Sequence, residues 1–327
     1  MKFRILFYIL GLALLPATQS KAGEVAQGKC VAQHYTLVPL PLRPAAINDH
    51  DEVVGTTESH RAALWTKTAG LQELAVPAGF NSSEGVGLNQ AGHIIGIAIN
   101  LKTNQRQGFT YIDGTVRLLP GSHTRPFVIN DNDEVAGEST NAQGLSAPVI
   151  WRGQTIVELG GCCGGVTTGI NNHAQAAGNI YDRQGKYRAF VWDQKRGVLP
   201  IGPANAYSSA LAMNDSGQTL IDSFAQGIWL YQSGQLSRVV LSAKLPNHPK
   251  ALNNCGAIVG SFGAFTDSGH AFVWDQATQF RNLNDLLPPD SGWRLREATG
   301  INSQGEIVGW GEHGKDDDAG FLLVPQS

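Results

Sequence analysis

The sequence predicts an all-β protein: a seven-bladed β-propeller of four-stranded blades, its ring closed by the N-terminal strand. Three observations carry this. An apolar-Asn pair recurs seven times, as Ile47-Asn48, Leu88-Asn89, Ile129-Asn130, Ile170-Asn171, Met213-Asn214, Leu252-Asn253 and Ile301-Asn302, with spacings of 41, 41, 41, 43, 39 and 49 residues. Seven residues after each asparagine stand Gly55, Gly96, Gly137, Gly178, Ile221, Gly260 and Gly309. The chain also starts and stops one strand out of phase with its own repeat. Units of this length, with turn signals between short apolar runs, have the size of propeller blades.

Each strand has its own signature. The first ends on the apolar-Asn pair and runs into an Asn-x-x-Gly turn. There the asparagine side chain can hold the backbone two residues on, and the last position takes a left-handed conformation. Gly92, Gly217, Gly256 and Gly305 occupy that position, with Asp51, Asp133 and Ala174 in the other three turns. The second strand carries the repeated glycine, a mark of close backbone approach. The third is apolar and aromatic: Ala63-Leu64-Trp65, Gly108 to Tyr111, Val149-Ile150-Trp151, Phe190-Val191-Trp192, Ile228 to Tyr231, Phe272-Val273-Trp274 and Phe321-Leu322-Leu323. Its rings are expected to pack between blades. The fourth is rich in leucine and valine, from Leu71 to Val76, Val116 to Leu119, Ile156 to Leu159, Val198 to Ile201, Leu236 to Val240 and Phe280 to Leu283. The seventh fourth strand is Tyr35 to Leu40, ahead of the first asparagine. It can complete the blade that Phe321 to Val324 leaves one strand short, which also hides the edges of an open array. Residues repeated in this way are fold determinants before they are anything else.

Composition agrees. Glycine supplies 39 of 327 residues, charged residues are 16% and hydrophobic ones 42%, too apolar for a disordered chain. A formal charge of −3 argues against nucleic-acid binding, which needs a basic face. The cationic Met1-Lys2-Phe3-Arg4, the apolar Ile5 to Leu15, Pro16 and the small residues Ser20 and Ala22 read as a secretory signal peptide over residues 1–22. The apolar run is too short to span a membrane. Cleavage after Ala22 removes Lys2, Arg4 and Lys21 and no carboxylate, which carries the formal charge from −3 to −6. Residues 23–327 then form one exported domain, periplasmic or extracellular, without a transmembrane segment and expected as a monomer.

Gly269-His270-Ala271-Phe272-Val273-Trp274, with Ala298 to Gly309 and with Leu283-Asn284-Asp285-Leu286-Leu287 leading to Ser291-Gly292-Trp293, resembles the extracellular HAF-repeat proteins. The resemblance covers nearly the whole mature chain and is weakest in the fifth unit, at Ile221 and Gln226-Gly227. It implies export and a repeat fold, and it supplies no catalytic residues.

If the Ile-Asn strand is innermost, the first-to-second and third-to-fourth turns share one face, and they are short. The second-to-third loops and the blade-to-blade links share the other. These vary: Ala98 to Gln107, Glu138 to Ser146, Tyr181 to Tyr187, Ser261 to Gly269, Glu312 to Ala319 and the link Asp285 to Glu297. Binding is expected on that variable face. No sequence signature of a nucleophile, phosphate loop or zinc site is present. Asn48 to Glu52 and Asn130 to Glu134 alternate oxygen-bearing side chains as calcium loops do, although turn chemistry also explains them. Asp316, Asp317 and Asp318, near His313, are the candidates for a calcium contact. The four cysteines suit an oxidising compartment. Cys30 with Cys255 would staple the ring closure, and Cys162 with Cys163 could form a vicinal disulfide. The favoured function is a non-enzymatic exported propeller that binds a protein, glycan or surface component. The alternative is a polysaccharide hydrolase or lyase, its acids drawn from Glu58, Glu138, Asp182, Asp267 and the Asp316 cluster at the channel mouth.

Overall fold

The computed structural model describes residues 31–326 apart from 161–162, 183, 205, 225, 242–245 and 264–268. Seven four-stranded antiparallel sheets follow one another around a ring. Blades 1 to 6 span residues 43–73, 82–118, 122–158, 165–200, 208–239 and 247–282. Blade 7 combines Trp293–Ile301, Ile307–His313 and Asp316–Pro325 with the N-terminal strand Tyr35–Leu40, which pairs antiparallel with the last strand from Tyr35 against Pro325 to Leu40 against Gly320. Ring closure therefore runs as the phase of the repeat predicts. Among the described residues there is no α-helix, only a 3-10 turn at Leu283–Leu286. No helix is long and apolar enough to cross a membrane among these residues.

The first strand of every blade is innermost. Its terminal apolar residues, Ile47, Leu88, Ile129, Ile170, Met213, Leu252 and Ile301, together line a pocket on the ring axis. Each first strand also carries a β-bulge three residues before its asparagine: the register against the second strand jumps between Pro44 and Ala46, Gly85 and Gly87, Pro126 and Val128, and likewise in the other four blades, with a second, earlier shift in blades 3 and 7. A bulge bends its strand and turns nearby carbonyls aside. That explains the glycine of the second strand. A Cβ at Gly178 would lie 2.1 Å from the Val166 carbonyl oxygen, and one at Gly309 would lie 2.1 Å from that of Glu297. In the fifth blade Ile221 takes the place of that glycine and is buried with Ala177, Ala189 and Ala210, with the third-strand Trp229 packed against the same cluster. In blades 2, 4 and 7 a phenylalanine ring lies against the glycine instead.

The core is not one mass. Seven buried apolar clusters lie among the described residues, one at each interface between neighbouring blades. The third-strand aromatics fill them as expected: Phe109 sits with Val54 and Ala62 of blade 1, Trp151 with Ile95 of blade 2, and Phe190 and Trp192 with Ile150 of blade 3. Burying one such ring is worth roughly 2–3 kcal/mol. In blades 2 to 6 the fourth strand begins and ends one residue earlier than the leucine pattern predicts, for example Thr115–Leu118 and Thr155–Glu158, and in blade 1 it is Gly70–Glu73, ending three residues earlier. In blades 1 to 4 the residue just past this strand, Leu74, Leu119, Leu159 or Ile201, is buried, and its amide still bonds to the third strand.

The variable loops need correction. Strand pairing continues into several of them, so that blade 2 pairs Asn100 with Gln105, blade 3 pairs Thr140 with Ser146, and blade 4 pairs Tyr181 with Tyr187. Only hairpin tips remain, closed by the same asparagine and aspartate turn chemistry. Asn141 Oδ1 accepts from the amides of Gln143 and Leu145, and Asp182 Oδ1 from those of Gln184 and Lys186. The expected last loop is likewise a hairpin: Asp316, Asp317 and Asp318 open the strand Asp316–Pro325 instead of lying in a loop. The Ser261–Gly269 loop lies largely outside the described residues, as do the expected signal peptide, Cys30, Cys162 and Asp267.

Candidate functional site

The short-turn face is built around the repeated asparagines. All seven are buried. Each Oδ1 receives backbone amides of its own turn; Asn130, for instance, accepts from Asn132 N at 3.0 Å and Glu134 N at 2.9 Å. Each Nδ2 reaches into the next blade and donates to the carbonyl of the next asparagine: Asn48 to Asn89, Asn89 to Asn130, Asn130 to Asn171, Asn171 to Asn214, Asn214 to Asn253, Asn253 to Asn302 and Asn302 back to Asn48, at 2.9–3.4 Å. The hydrogen-bond ring is complete, and its last link crosses the junction between blades 7 and 1. The turn positions behave as expected, with positive φ at Asp51, Gly92, Asp133, Ala174, Gly217, Gly256 and Gly305.

A second ring lies nearer the axis, in the residue after each asparagine. Asp49, Gln90, Asp131, Asn172, Asp215, Asn254 and Ser303 rim an axial pocket of about 210 Å³. Six of these side chains, all but Ser303, take a backbone amide from the preceding blade, as where Gln90 N donates to Asp131 Oδ1 at 2.9 Å and Ser303 N donates to Asp49 Oδ1 at 2.8 Å. Asn172 Nδ2 further bridges Asp131 and Asp215. Sequence reasoning missed this ring. Its signal was a repeat column of acceptor side chains, hidden by changes between carboxylate, amide and hydroxyl. The oxygens of Asn48 to Glu52 and Asn130 to Glu134 are used in these turn and interblade bonds.

A third set sits four residues past the asparagine, where Glu52, His93, Gln175, Gln218 and Glu306 face the left-handed position of the next turn. His93 Nδ1 lies 2.7 Å from Asp133 Oδ1, with Asp113 at 3.5 Å from Nε2. Burial opposes its charge, but the two carboxylates outweigh that and raise its pKa. At the junction of blades 7 and 1, buried Glu306 accepts from Asn302 Nδ2 at 2.6 Å and faces Asp51. Burial first, and then the bond with Asp51, push its carboxyl up to about 7. A raised carboxyl pKa binds protons in the fold that the unfolded chain releases, so its contribution to stability falls as pH rises from about 4.5 to about 7. Glu306→Gln is expected to remove that dependence and to stabilise the protein at pH 8 by up to roughly 3 kcal/mol. Glutamine fits this position: Gln175 and Gln218 occupy it in blades 4 and 5, each accepting from its own asparagine at 2.8 Å. Thermal melts of both proteins from pH 5 to pH 8 check this; parallel curves would refute it.

The opposite face carries the exposed apolar groups. Eleven large apolar side chains are exposed among the described residues. Five, Leu71, Leu118, Ile156, Leu199 and Leu236, lie on outermost strands. The other six, Leu101, Leu145, Tyr181, Tyr207, Phe224 and Val240, all lie in second-to-third hairpins or blade-to-blade links, on the variable face. The aromatics converge at blades 4 and 5. The Tyr181 and Tyr187 rings stand 4.7 Å apart at 47°, Lys186 Nζ lies 6.0 Å from the Tyr207 ring, and Phe224 N donates to the Tyr207 carbonyl at 3.2 Å. Burial, then the neighbouring Tyr181, raise the Tyr187 pKa. Further round, between blades 5 and 7, burial raises the Asp222 carboxyl and lowers His248, while Lys250 lies 3.4 Å from Glu297.

The acids proposed for catalysis stand on separate blades. Glu58 is on blade 1 and Glu138, on blade 3, is bound by Ser146 Oγ at 2.6 Å and lies 3.8 Å from Arg125. Asp182 closes a hairpin of blade 4 beside Arg188. Asp316 accepts from Asp318 N in blade 7, and Asp318 lies 3.4 Å from Arg43. None of these lines the axial pocket. Among the described residues, no three His, Cys, Asp or Glu side chains come together as metal ligands. Cys163 and Cys255 are not free thiols. Cys255 sits in the turn of Asn253, its Sγ 3.9 Å from the Ser303 carbonyl of blade 7.

Among solved structures the chain is similar to several propellers. The β-propeller domain of the trilobed protease of Pyrococcus furiosus matches with a TM-score of 0.59 and 9% identity, over 90% of this chain and 96% of that one. YCF48 bound to a D1 peptide matches at 0.54 and 11%, over 90% and 96%. The virginiamycin B lyase of Staphylococcus aureus, solved with quinupristin, matches at 0.54 and 8%, over 89% and 100%. At such identities the likeness concerns the fold, and it defines the chain as a seven-bladed β-propeller. No family model and no curated protein matches the sequence.

Proposed function

We propose that the mature protein is an exported, non-enzymatic β-propeller that binds a partner molecule through its variable-loop face; its resemblance to the HAF-repeat proteins bears on export and the repeat fold. One observation carries this reading. Among the described residues, every exposed large apolar side chain that is not on an outermost strand lies on that face, and soluble proteins seldom leave such groups clustered without use. Residues 1–22 act as the export signal in this reading. Triple replacement of Leu145, Tyr181 and Tyr207 by alanine is expected to abolish capture of the partner in pull-downs from envelope extract and on glycan arrays, run with and without calcium. Replacement of Gln154 and Lys195, exposed on the short-turn face, is expected to leave capture intact. The opposite pattern overturns the assignment of the face.

Export also bears on the cysteines. We infer a Cys30–Cys255 staple across the ring closure and a vicinal Cys162–Cys163 bond. Val31, next to Cys30, is buried in the cluster between blades 6 and 7, and the Ala32 carbonyl accepts from Arg281 of blade 6 at 2.9 Å. This brings the start of the described chain to the end of the ring that carries Cys255. Mass mapping of non-reduced digests is expected to yield a Cys30–Cys255 linked peptide; recovery of Cys255 as a free thiol would exclude the staple.

A further inference from the structure

We propose that the aromatic arc over blades 4 and 5 is a docking surface for an extended polypeptide segment of a partner protein, with apolar side chains set on Tyr181, Tyr207 and Phe224 and a carboxylate set against Lys186. The proposal rests on the reading of the variable face as the binding face, and it names what that face takes.

The anchors favour a peptide. Tyr207 is 56% exposed, Tyr181 44% and Phe224 94%. Leu145, 41% exposed, stands at a hairpin tip of blade 3 on the same face. Rigid aromatic rings give large contact area for little side-chain entropy, and such anchors dominate protein interfaces. Leu145 and Phe224 have no polar side-chain atom with which to read a sugar hydroxyl. The acids close by are already engaged: Glu138 takes the Ser146 hydroxyl, and Asp182 takes two hairpin amides and faces Arg188. The arc therefore offers apolar area but few unused acceptors, which suits apolar side chains better than a glycan.

Charge then picks the kind of peptide. Lys186 is in no ion pair among the described residues, and its ammonium rests beside the Tyr207 ring. A cation beside an exposed aromatic patch draws a carboxylate to the rim and favours encounter with acidic segments. It also disfavours a second copy of this chain, because a two-fold contact through the arc would oppose Lys186 to itself.

The test uses the full mature protein. A phage library of random 12-residue peptides is panned against it, and enriched peptides are synthesised with a fluorescent label. Binding by anisotropy is compared for wild type, Tyr207→Ala, Phe224→Ser, Lys186→Glu and the short-turn-face control Gln154→Ala. The side chains changed are exposed or at a hairpin tip, and melting curves check that each variant stays folded. The expected result is enrichment of peptides that combine apolar and acidic residues. Their Kd rises tenfold or more in Tyr207→Ala and Lys186→Glu and stays unchanged in Gln154→Ala. Peptides that bind all variants equally, or no enrichment at all, overturn the proposal. Binding to a glycan array that Tyr207→Ala abolishes also overturns the peptide assignment while keeping the variable face as the binding face. Loss of binding only in Gln154→Ala overturns both.

Discussion

Gly178→Ala is expected to destabilise the protein by about 3 kcal/mol or more, which for a chain of this size lowers the melting temperature by roughly 6–12 °C. The added methyl would lie 2.1 Å from the Val166 carbonyl oxygen, 2.8 Å from Thr167 Cα and 2.9 Å from Phe190 Cε1. Two of these atoms are backbone, so no side chain can swing away to make room. The first strand would have to leave its bulge or the second would have to move outward, and either shift disturbs the cluster where Phe190 packs against blade 3. Gly114→Ala is the control. Gly114 has a φ of +76° and no atom within 4 Å of a built Cβ, so only local backbone strain of about 1 kcal/mol opposes the change. A melting curve for Gly178→Ala that coincides with that of Gly114→Ala would show that close approach does not explain the repeated glycine.

The contrast shows what the sequence could and could not reveal. The glycine column was legible because its residue hardly varies, but its cause was not. The bulge that turns the carbonyl inward sits three residues before each asparagine, where Ala45, Val86, Phe127, Thr168, Leu211, Lys250 and Thr299 share no side-chain chemistry. A bulge is a property of backbone pairing and needs no particular residue. Ring closure was legible because it is a matter of counting strands. The two faces were legible because strand order fixes which turns lie together. The aromatic arc was not. Tyr181, Tyr187, Tyr207 and Phe224 fall at unrelated repeat offsets in two hairpins and one link, and they meet only once blades 4 and 5 are side by side. The acidic candidates give the reverse case: Glu58, Glu138, Asp182 and Asp316 look alike on the page, and the ring distributes them over four blades.

Asn130→Asp separates the two jobs of the repeated asparagine and is expected to cost about 3–4 kcal/mol at pH 8. If turn geometry were the whole explanation, aspartate would serve nearly as well, since both side chains accept the amide two residues on. The interblade ring predicts otherwise. Asn130 Nδ2 donates to the Asn171 carbonyl at 3.0 Å and to Glu134 Oε2 at 2.8 Å. A carboxylate in its place would turn one oxygen toward a carbonyl oxygen and another carboxylate, in a buried position, with no proton to share. Arg152 Nε, 2.7 Å from the other oxygen of Glu134, offsets only part of that repulsion. Protonation restores a donor, so the pKa of the new aspartate is raised in the fold. Native protein then binds a proton that the unfolded chain has released, and the loss shrinks as pH falls towards 4. Asn130→Ala is the reference: it strands the amides of Asn132 and Glu134 as well as the Asn171 carbonyl and is destabilised equally at both pH values. Denaturant unfolding at pH 4.5 and pH 8 distinguishes these outcomes. An Asn130→Asp variant as stable as wild type at pH 8 would mean that the blades are held by their apolar clusters alone. A loss that grows with pH would establish that the amide is selected over the acid because each blade must donate a proton to the next.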